Sequence, residues 1–214
     1  MAKIKDLILF LLLIILLILN YFYMEQKHLY LYIFLIVFFS FSFLSLLISG
    51  RYGAKILGWA SIFKYRDYTS LFIYFTQLGV LFNAVIVFYY EIYLPVLVFG
   101  GFIFILMGMG FNLQVRRELG KNWVPLAKTT EGQELVTSGI YSRIRHPFYT
   151  SILILFLGVA LMTLNIFSTV FYFLFIISIH FRIKKEEKEL IHKFGSEYIK
   201  YKEDVPKVIP KLIN

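Results

Sequence analysis

The chain has 214 residues, of which 59% are hydrophobic and only 16% charged. A soluble domain, at roughly 45–50% apolar and about 25% charged, has no interior able to hide that much apolar surface, and a disordered chain is polar, so the expected solvent is a bilayer. The absence of cysteine excludes disulfides, thiolate metal sites and a cysteine nucleophile, while the net charge of +9 reads as basic loops on anionic lipid, with no nucleic acid as partner.

Six apolar stretches follow along the chain, at 7–23, 29–49, 70–90, 94–113, 148–164 and 166–181. Crossing a bilayer takes ~20 residues at 1.5 Å each. The second, third and fourth meet that length, and the other three are short. The first follows Lys3 and Lys5 as a signal peptide would, but no small-residue cleavage site succeeds it, so it reads as a retained helix. All but Lys27 of the 22 lysines and arginines fall on one side of this six-span arrangement. Positive charge stays in the cytosol, which predicts an integral, multi-pass protein with both termini cytosolic. The fold class is therefore all-α, a polytopic membrane helical bundle.

Asn165 alone separates the fifth and sixth stretches. Two such short arms predict a tight helical hairpin whose tip barely reaches the outer face. Long polar segments, 114–147 and 182–214, bracket it, and long polar connections in compact domains are usually functional. The expected division is an N-terminal four-helix membrane region, 1–113, and a catalytic region, 114–214.

Three elements could carry chemistry. The first is the run from Gln133 and Glu134 through Leu135, Val136, Gly139 and Tyr141 to Arg145, His146, Pro147, Phe148 and Tyr149. Pro147 suits the first turn of a helix, which puts Arg145 at a positive helix end that favours an anion. The bland alternative is that Arg143 and Arg145 only anchor that end to headgroups. The second runs from Arg182 through Glu186, Glu187, Gly195 and Tyr198 to Tyr201. If the sixth helix continues past the membrane, Arg182 and Glu186 share a face at i,i+4, and Gly195 ends it. Glu187 lies about 100° further round and should matter less than Glu186. The alternative is a solvated helix face and a snorkelling arginine. Together the two segments offer carboxylates and aromatics for a cation and arginines for a carboxylate, which matches a zwitterionic, cationic cosubstrate. The third element is Trp123, most simply an interfacial residue, with Gly108 and Gly110 as close-packing positions on the fourth helix. The 4 histidines show no metal-ligand spacing, so no metal is expected.

The two segments resemble the isoprenylcysteine carboxyl methyltransferase family and its phospholipid methyltransferase relatives. The resemblance rests on Leu135 to Tyr141, Arg145 to Tyr149, Arg182 with Glu186 and Glu187, Phe194 to Tyr201, and the Val205-Pro206 and Ile209-Pro210 pairs. It implies an integral membrane enzyme that uses S-adenosyl-L-methionine, without a metal, on a lipid or prenylated acceptor entering from the bilayer. Carried over, Gln133, Glu134, Leu135, Val136, Tyr141, His146, Pro147, Phe148, Tyr149 and Glu186 would hold the cosubstrate. Arg182 and Arg145 would be the catalytic residues, with Arg182 facing the acceptor. The early helices show no usable resemblance, and the first is expected to be an addition to the family core. Two rival readings remain at this level: a membrane NADPH-dependent reductase of the same superfamily, disfavoured by Glu186 and Glu187, and a non-enzymatic membrane protein.

Overall fold

The computed structural model describes residues 2–23, 28–53, 63, 67–124 and 127–210. Lys27, Lys55, Lys64 and Arg66, which belong to the charge pattern above, lie outside the described residues. The helices are α1 (Ala2–Tyr23), α2 (Leu29–Arg51), α3 (Tyr68–Tyr89), α4 (Pro95–Leu119), α5 (Pro147–Thr163), α6 (Ile166–Phe194) and α7 (Ser196–Asp204). Two single 3₁₀ turns, Gly120–Asn122 and Gly139–Ser142, lie in the segment between α4 and α5. Among the described residues, α2, α3, α4 with its following turn, and α6 are long and apolar enough to cross a membrane, and α1 and α5 contain shorter apolar helices.

The large apolar side chains point both ways. Val80, Phe88, Val98, Ile105, Leu155, Phe156, Val159 and Phe175 pack a single core. Phe82, Val96, Phe99, Leu106, Phe167 and Phe173 face outward, more than half exposed. An outer surface of this kind suits lipid, where these side chains have no water to avoid.

The core is organised by the α4–α5 pair, the most extensive helix contact in the molecule. A Cβ on Gly108 would come within 2.5 Å of the Leu155 backbone, and one on Gly158 within 2.5 Å of the Gly101 carbonyl. Glycine lets these backbones touch, and dispersion between them replaces the hydrophobic drive that lipid does not supply. Gly110, by contrast, faces open space. Towards the C-terminal end of α4 in this seam, Asn112 Nδ2 donates to Ser151 Oγ at 2.8 Å.

The hairpin forms as the lone Asn165 suggests, but its arms are unequal. Asn165 accepts from the Ser168 backbone N–H at 2.9 Å, and Ser168 Oγ accepts from the Asn165 backbone at 3.1 Å, a reciprocal cap that starts α6. The first arm, α5, is 17 residues. The second is 29 residues, not the short span that its apolar stretch indicates. At 1.5 Å per residue α6 is about 43 Å long, so its last turns leave a ~30 Å hydrocarbon core altogether. The polar residues from Arg182 onward extend it because they remain good helix formers with i,i+4 partners, and propensity does not end where hydropathy does. Gly195, at φ 56°, breaks α6 and turns the chain into α7.

α1 packs on α2, with Phe10 stacked on Phe43 at 4.1 Å and the Tyr32 hydroxyl donating to Asn20. Much of its remaining surface, including Leu12, Leu16, Leu19 and Phe22, is exposed.

Ile92, on the connection from α3 to α4, and Ser196, after α6, are both exposed and lie at opposite ends of the bundle. Single cysteines placed there should be labelled by a membrane-impermeant maleimide from opposite sides, with Ser196 reached from the cytosol. Labelling of both from one side would reject the crossing pattern.

Candidate functional site

A cleft of ≈ 670 Å³ opens at the end of the bundle where α6 leaves the core. One wall is polar and comes from the segment before α5, from α6 and from α7. It carries Gln133, Glu134, Leu135, Val136, Tyr141, Arg145, His146, Phe148, Tyr149, Arg182 and Glu186, together with Tyr198 and Tyr201. The lining from α2, α3 and the body of α5 adds apolar residues, among them Phe38, Phe41, Leu78, Leu81 and Phe156. Every site residue expected from the sequence borders this one space except Pro147. That proline is buried in the first turn of α5 and starts the helix without reaching the cleft.

Arg182 is nearly inaccessible, at 4% exposure. Its Nη1 donates to Asp67 and to Ser70 Oγ at 2.7 Å, and its Nε donates to the Tyr149 hydroxyl at 3.0 Å. Asp67 precedes α3 and is itself 1% exposed. It accepts from Thr69, from Ser70, from the Ala127 backbone N–H at 3.0 Å and from Lys185 at 3.0 Å. Burial alone would raise its pKa, but Arg182, the Thr69 hydroxyl and the Ala127 N–H outweigh that and hold the carboxyl well below the usual range. Asp67 is the site residue that the sequence hid. It lies 115 positions from Arg182, in a connection whose charges read only as topology signals.

Tyr149 carries the geometry onward. Its hydroxyl donates to Glu186 Oε2 at 2.5 Å while accepting from Arg182. The i,i+4 spacing of Arg182 and Glu186 therefore becomes one hydrogen-bonded chain, Asp67–Arg182–Tyr149–Glu186, whose last three members border the cleft.

Glu187 does not border the cleft and is engaged elsewhere. It is buried at 5% exposure, and its Oε1 accepts from Arg145 Nη2 at 3.0 Å and lies 3.3 Å from His146 Nε2. Lys202 of α7 approaches Oε2 at 3.3 Å. The 100° turn from Glu186 points it away from the cleft but into a second interface, where the C-terminal tail folds back. Arg145 closes that interface: Nη1 donates to the carbonyls of Lys202, at 2.7 Å, and Val205. The backbone N–H groups of Arg145 and His146 donate to Pro206 and Lys207, each at 2.9 Å. The backbone N–H groups just before α5 thus meet the chain's own tail, and both Nη atoms of Arg145 are engaged by the tail and by Glu187.

The loop 133–136 is braced from beneath. Asn122 Oδ1 accepts from the Glu134 backbone at 2.8 Å, and its carbonyl accepts from Gln133 Nε2 at 3.1 Å. Trp123 has more than an interfacial position. It borders the cleft, and the Arg116 guanidinium lies 4.5 Å from its ring centre and 5.2 Å from that of Phe148. Arg116 also donates to Asn112 and to Ser49, which joins the polar wall to α2.

Residues 96–197 match the phospholipid methyltransferase family. The protein-S-isoprenylcysteine O-methyltransferase of Mus musculus is 38% identical over 91 residues, 42% of this chain and 32% of that protein. That of Saccharomyces cerevisiae is 34% identical over 114 residues, 51% of this chain and 47% of that protein. The chain thus spans from about a third to about half of the length of these relatives. The solved structure of a eukaryotic intramembrane Ras methyltransferase superposes with a TM-score of 0.51 at 22% identity, covering 64% of this chain and 51% of that one, and so shares the fold. The matched region holds the α4–α5 seam, the unequal hairpin and most of the polar wall, and through it the chain is similar to the phospholipid methyltransferase family and to the isoprenylcysteine O-methyltransferases.

Proposed function

We propose that the protein is an integral membrane methyltransferase that takes its methyl group from S-adenosyl-L-methionine and delivers it to the carboxylate of a prenylated or similarly lipid-anchored acceptor. The observation that carries this reading is a cleft lined by both polar and apolar side chains. Its volume lies within the 300–1,000 Å³ usual for small-molecule sites. A soluble, charged cosubstrate and a lipid-borne acceptor need such a shared space if their reacting atoms are to meet.

The residues present fit the cosubstrate. Glu186 and the aromatic rings of Tyr149 and Phe148 suit a cationic group, and the 133–136 loop offers backbone donors and acceptors. When bound, S-adenosylmethionine supplies an electrophilic methyl whose transfer to a carboxylate oxygen leaves the C–S bonding pair on sulfur and moves no proton. The chain therefore needs no general base. Its work is to hold, orient and dry the reactants.

Arg182 orients the acceptor. A guanidinium that met a carboxylate alone would stabilise the attacking anion in its ground state and slow it. Asp67 shares that positive charge, so Arg182 steers the acceptor without pinning it. Arg145 acts one step removed, by clamping the tail that backs the polar wall. We infer further that region 114–214 carries the cosubstrate and that α2 and α3 supply the acceptor's apolar channel, with both termini in the cytosol.

In detergent, S-adenosylhomocysteine should raise the melting temperature and NADPH should not, because only a ligand of the folded state stabilises it, by about 2.7 kcal/mol at a hundredfold excess over Kd. Stabilisation by NADPH alone would replace methyl transfer with reduction.

A further inference from the structure

Among the described residues, three arginines border the cleft: Arg116, Arg145 and Arg182. Arg145 and Arg182 are buried against the carboxylates of Glu187 and Asp67. Arg116, half-buried near the C-terminal end of α4, differs, because no carboxylate among the described residues pairs with it and its partners are neutral. Its Nε donates to Asn112 Oδ1 at 2.8 Å and its Nη1 to Ser49 Oγ at 2.7 Å. The rings of Trp123 and Phe148 lie against it, at 4.5 and 5.2 Å. A guanidinium carries five N–H donors, so most of this one is unspent. Nη2 makes no hydrogen bond among the described residues and, unlike Arg145 Nε, is not sealed from water, so a ligand can reach it.

Taking a charge partly out of water costs free energy unless a counter-charge replaces the hydration, and aromatic rings offset only part of that cost. A cation on a cleft wall with no counter-charge from its own chain calls for an anion from outside. A planar, two-pronged donor matches a carboxylate. The neighbours of Arg116 put it where reactants would meet. Trp123 follows Asn122, which braces the 133–136 loop, and Phe148 lies against Tyr149, whose hydroxyl accepts from Arg182. Two carboxylates that border the same cleft are engaged elsewhere, Glu134 with Lys121 and Glu186 with Tyr149.

We propose that Arg116 is the carboxylate subsite of the cleft and holds the carboxylate of a reactant, with Nη2 as its open donor. The assignment rests on the methyl-transfer reading, in which two molecules carry that group: the cosubstrate, on its amino-acid arm, and the acceptor. The consequences differ. The cosubstrate's carboxylate takes no part in bond making, so an unshared positive charge raises affinity there at no cost in rate. The acceptor's carboxylate is the nucleophile, so the same grip would lower its ground state, and tight acceptor binding would come with a slower chemical step.

The test is Arg116→Gln in the whole chain in detergent, with calorimetric binding of two ligand pairs. S-adenosylhomocysteine is compared with 5′-methylthioadenosine, which lacks the amino-acid arm, and N-acetyl-S-farnesylcysteine with its methyl ester. The variant should lose about tenfold in affinity for the carboxylate-bearing member of one pair, the usual scale for one hydrogen bond to a charged group, and none for the other member. The pair that shows the gap names the source of the carboxylate. Arg116→Lys, which keeps the charge without the fork, should lose less in the same pair, and it carries the comparison alone if the glutamine variant does not fold. A packing role would weaken both members of a pair alike. Equal losses within both pairs, or none in either, would overturn the assignment. A wild-type protein that binds neither S-adenosylhomocysteine nor 5′-methylthioadenosine would instead overturn the methyl-transfer reading, and this assignment with it.

Discussion

Asp67→Asn is expected to cost the protein about 3–5 kcal/mol of stability and most of the methyl transfer proposed for it. The side chains of Asp67 and Arg182 are 2% and 5% exposed, so the pair is sealed from water. Removing one charge of such a pair leaves the other buried and uncompensated, a far larger loss than at a surface ion pair. Asparagine keeps the shape and one acceptor for Thr69 or Ala127, but not the charge facing Arg182 and Lys185. The pH dependence gives a second readout. Because the folded-state pKa of Asp67 lies below its ordinary value of 3.8, its stabilisation is fully present above the carboxylate range and is lost as pH falls through and below about 4. Thermal melts from pH 7 to pH 3 should therefore show an acid limb that is shallower in the variant. A double variant with Arg182→Gln should be less damaged than the two single losses added together, since the buried charge disappears with its partner. An Asn variant that melts with wild type would show that the Asp67 charge does not hold Arg182 in place.

The hydropathy pattern made the bundle legible. The helical stretches, the turn at Asn165 and the stop at Gly195 all follow from local chemistry: apolar length, an N-cap, a glycine able to take φ 56°. Arg182 and Glu186 were legible for the same reason, since i,i+4 spacing puts them on one face before any tertiary contact forms. What escaped is everything fixed by long-range return of the chain. Asp67 looked like one charge in a basic loop until α3 met α6. Arg145 looked free because nothing local shows that residues 202–207 come back to take its donors. The length of α6 escaped because the apolar stretch measures what lies in lipid, and the helix does not stop at that boundary.

These contacts make α6 a spine with three differently engaged sides. Arg182 faces the N-terminal helices through Asp67. Glu186 faces the cleft through Tyr149. Glu187 faces the tail through Arg145, His146 and Lys202. One turn of helix thus ties the N-terminal helices, the cleft and the C-terminal tail together. A shift in any one would be felt by the others, because Asp67, Tyr149, Arg145 and His146 are buried polar groups with no water to replace a lost partner.

Two adjacent carboxylates of that turn should therefore fail in opposite ways. Glu186→Gln should melt close to wild type, because Glu186 is only half-buried and glutamine still accepts from the Tyr149 hydroxyl. Its affinity for S-adenosylhomocysteine should fall by roughly ten- to a hundredfold, the equivalent of about 1.5–3 kcal/mol for a lost charge-assisted hydrogen bond. Glu187→Gln should do the reverse. It leaves Arg145 buried without a counter-charge and loosens Lys202, which should cost about 3 kcal/mol, or roughly 6–12 °C in melting temperature for a chain of this size. What remains folded should bind ligand with a modest loss, since Glu187 does not border the cleft. Melting and calorimetric binding on both variants separate the roles. If both variants lost stability alone, Glu186 would be a second structural carboxylate and the cationic end of the ligand would need another partner. If both lost affinity alone, the tail clamp would be part of the binding site itself, and the cleft would extend behind Arg145 to where α7 and the tail now close it.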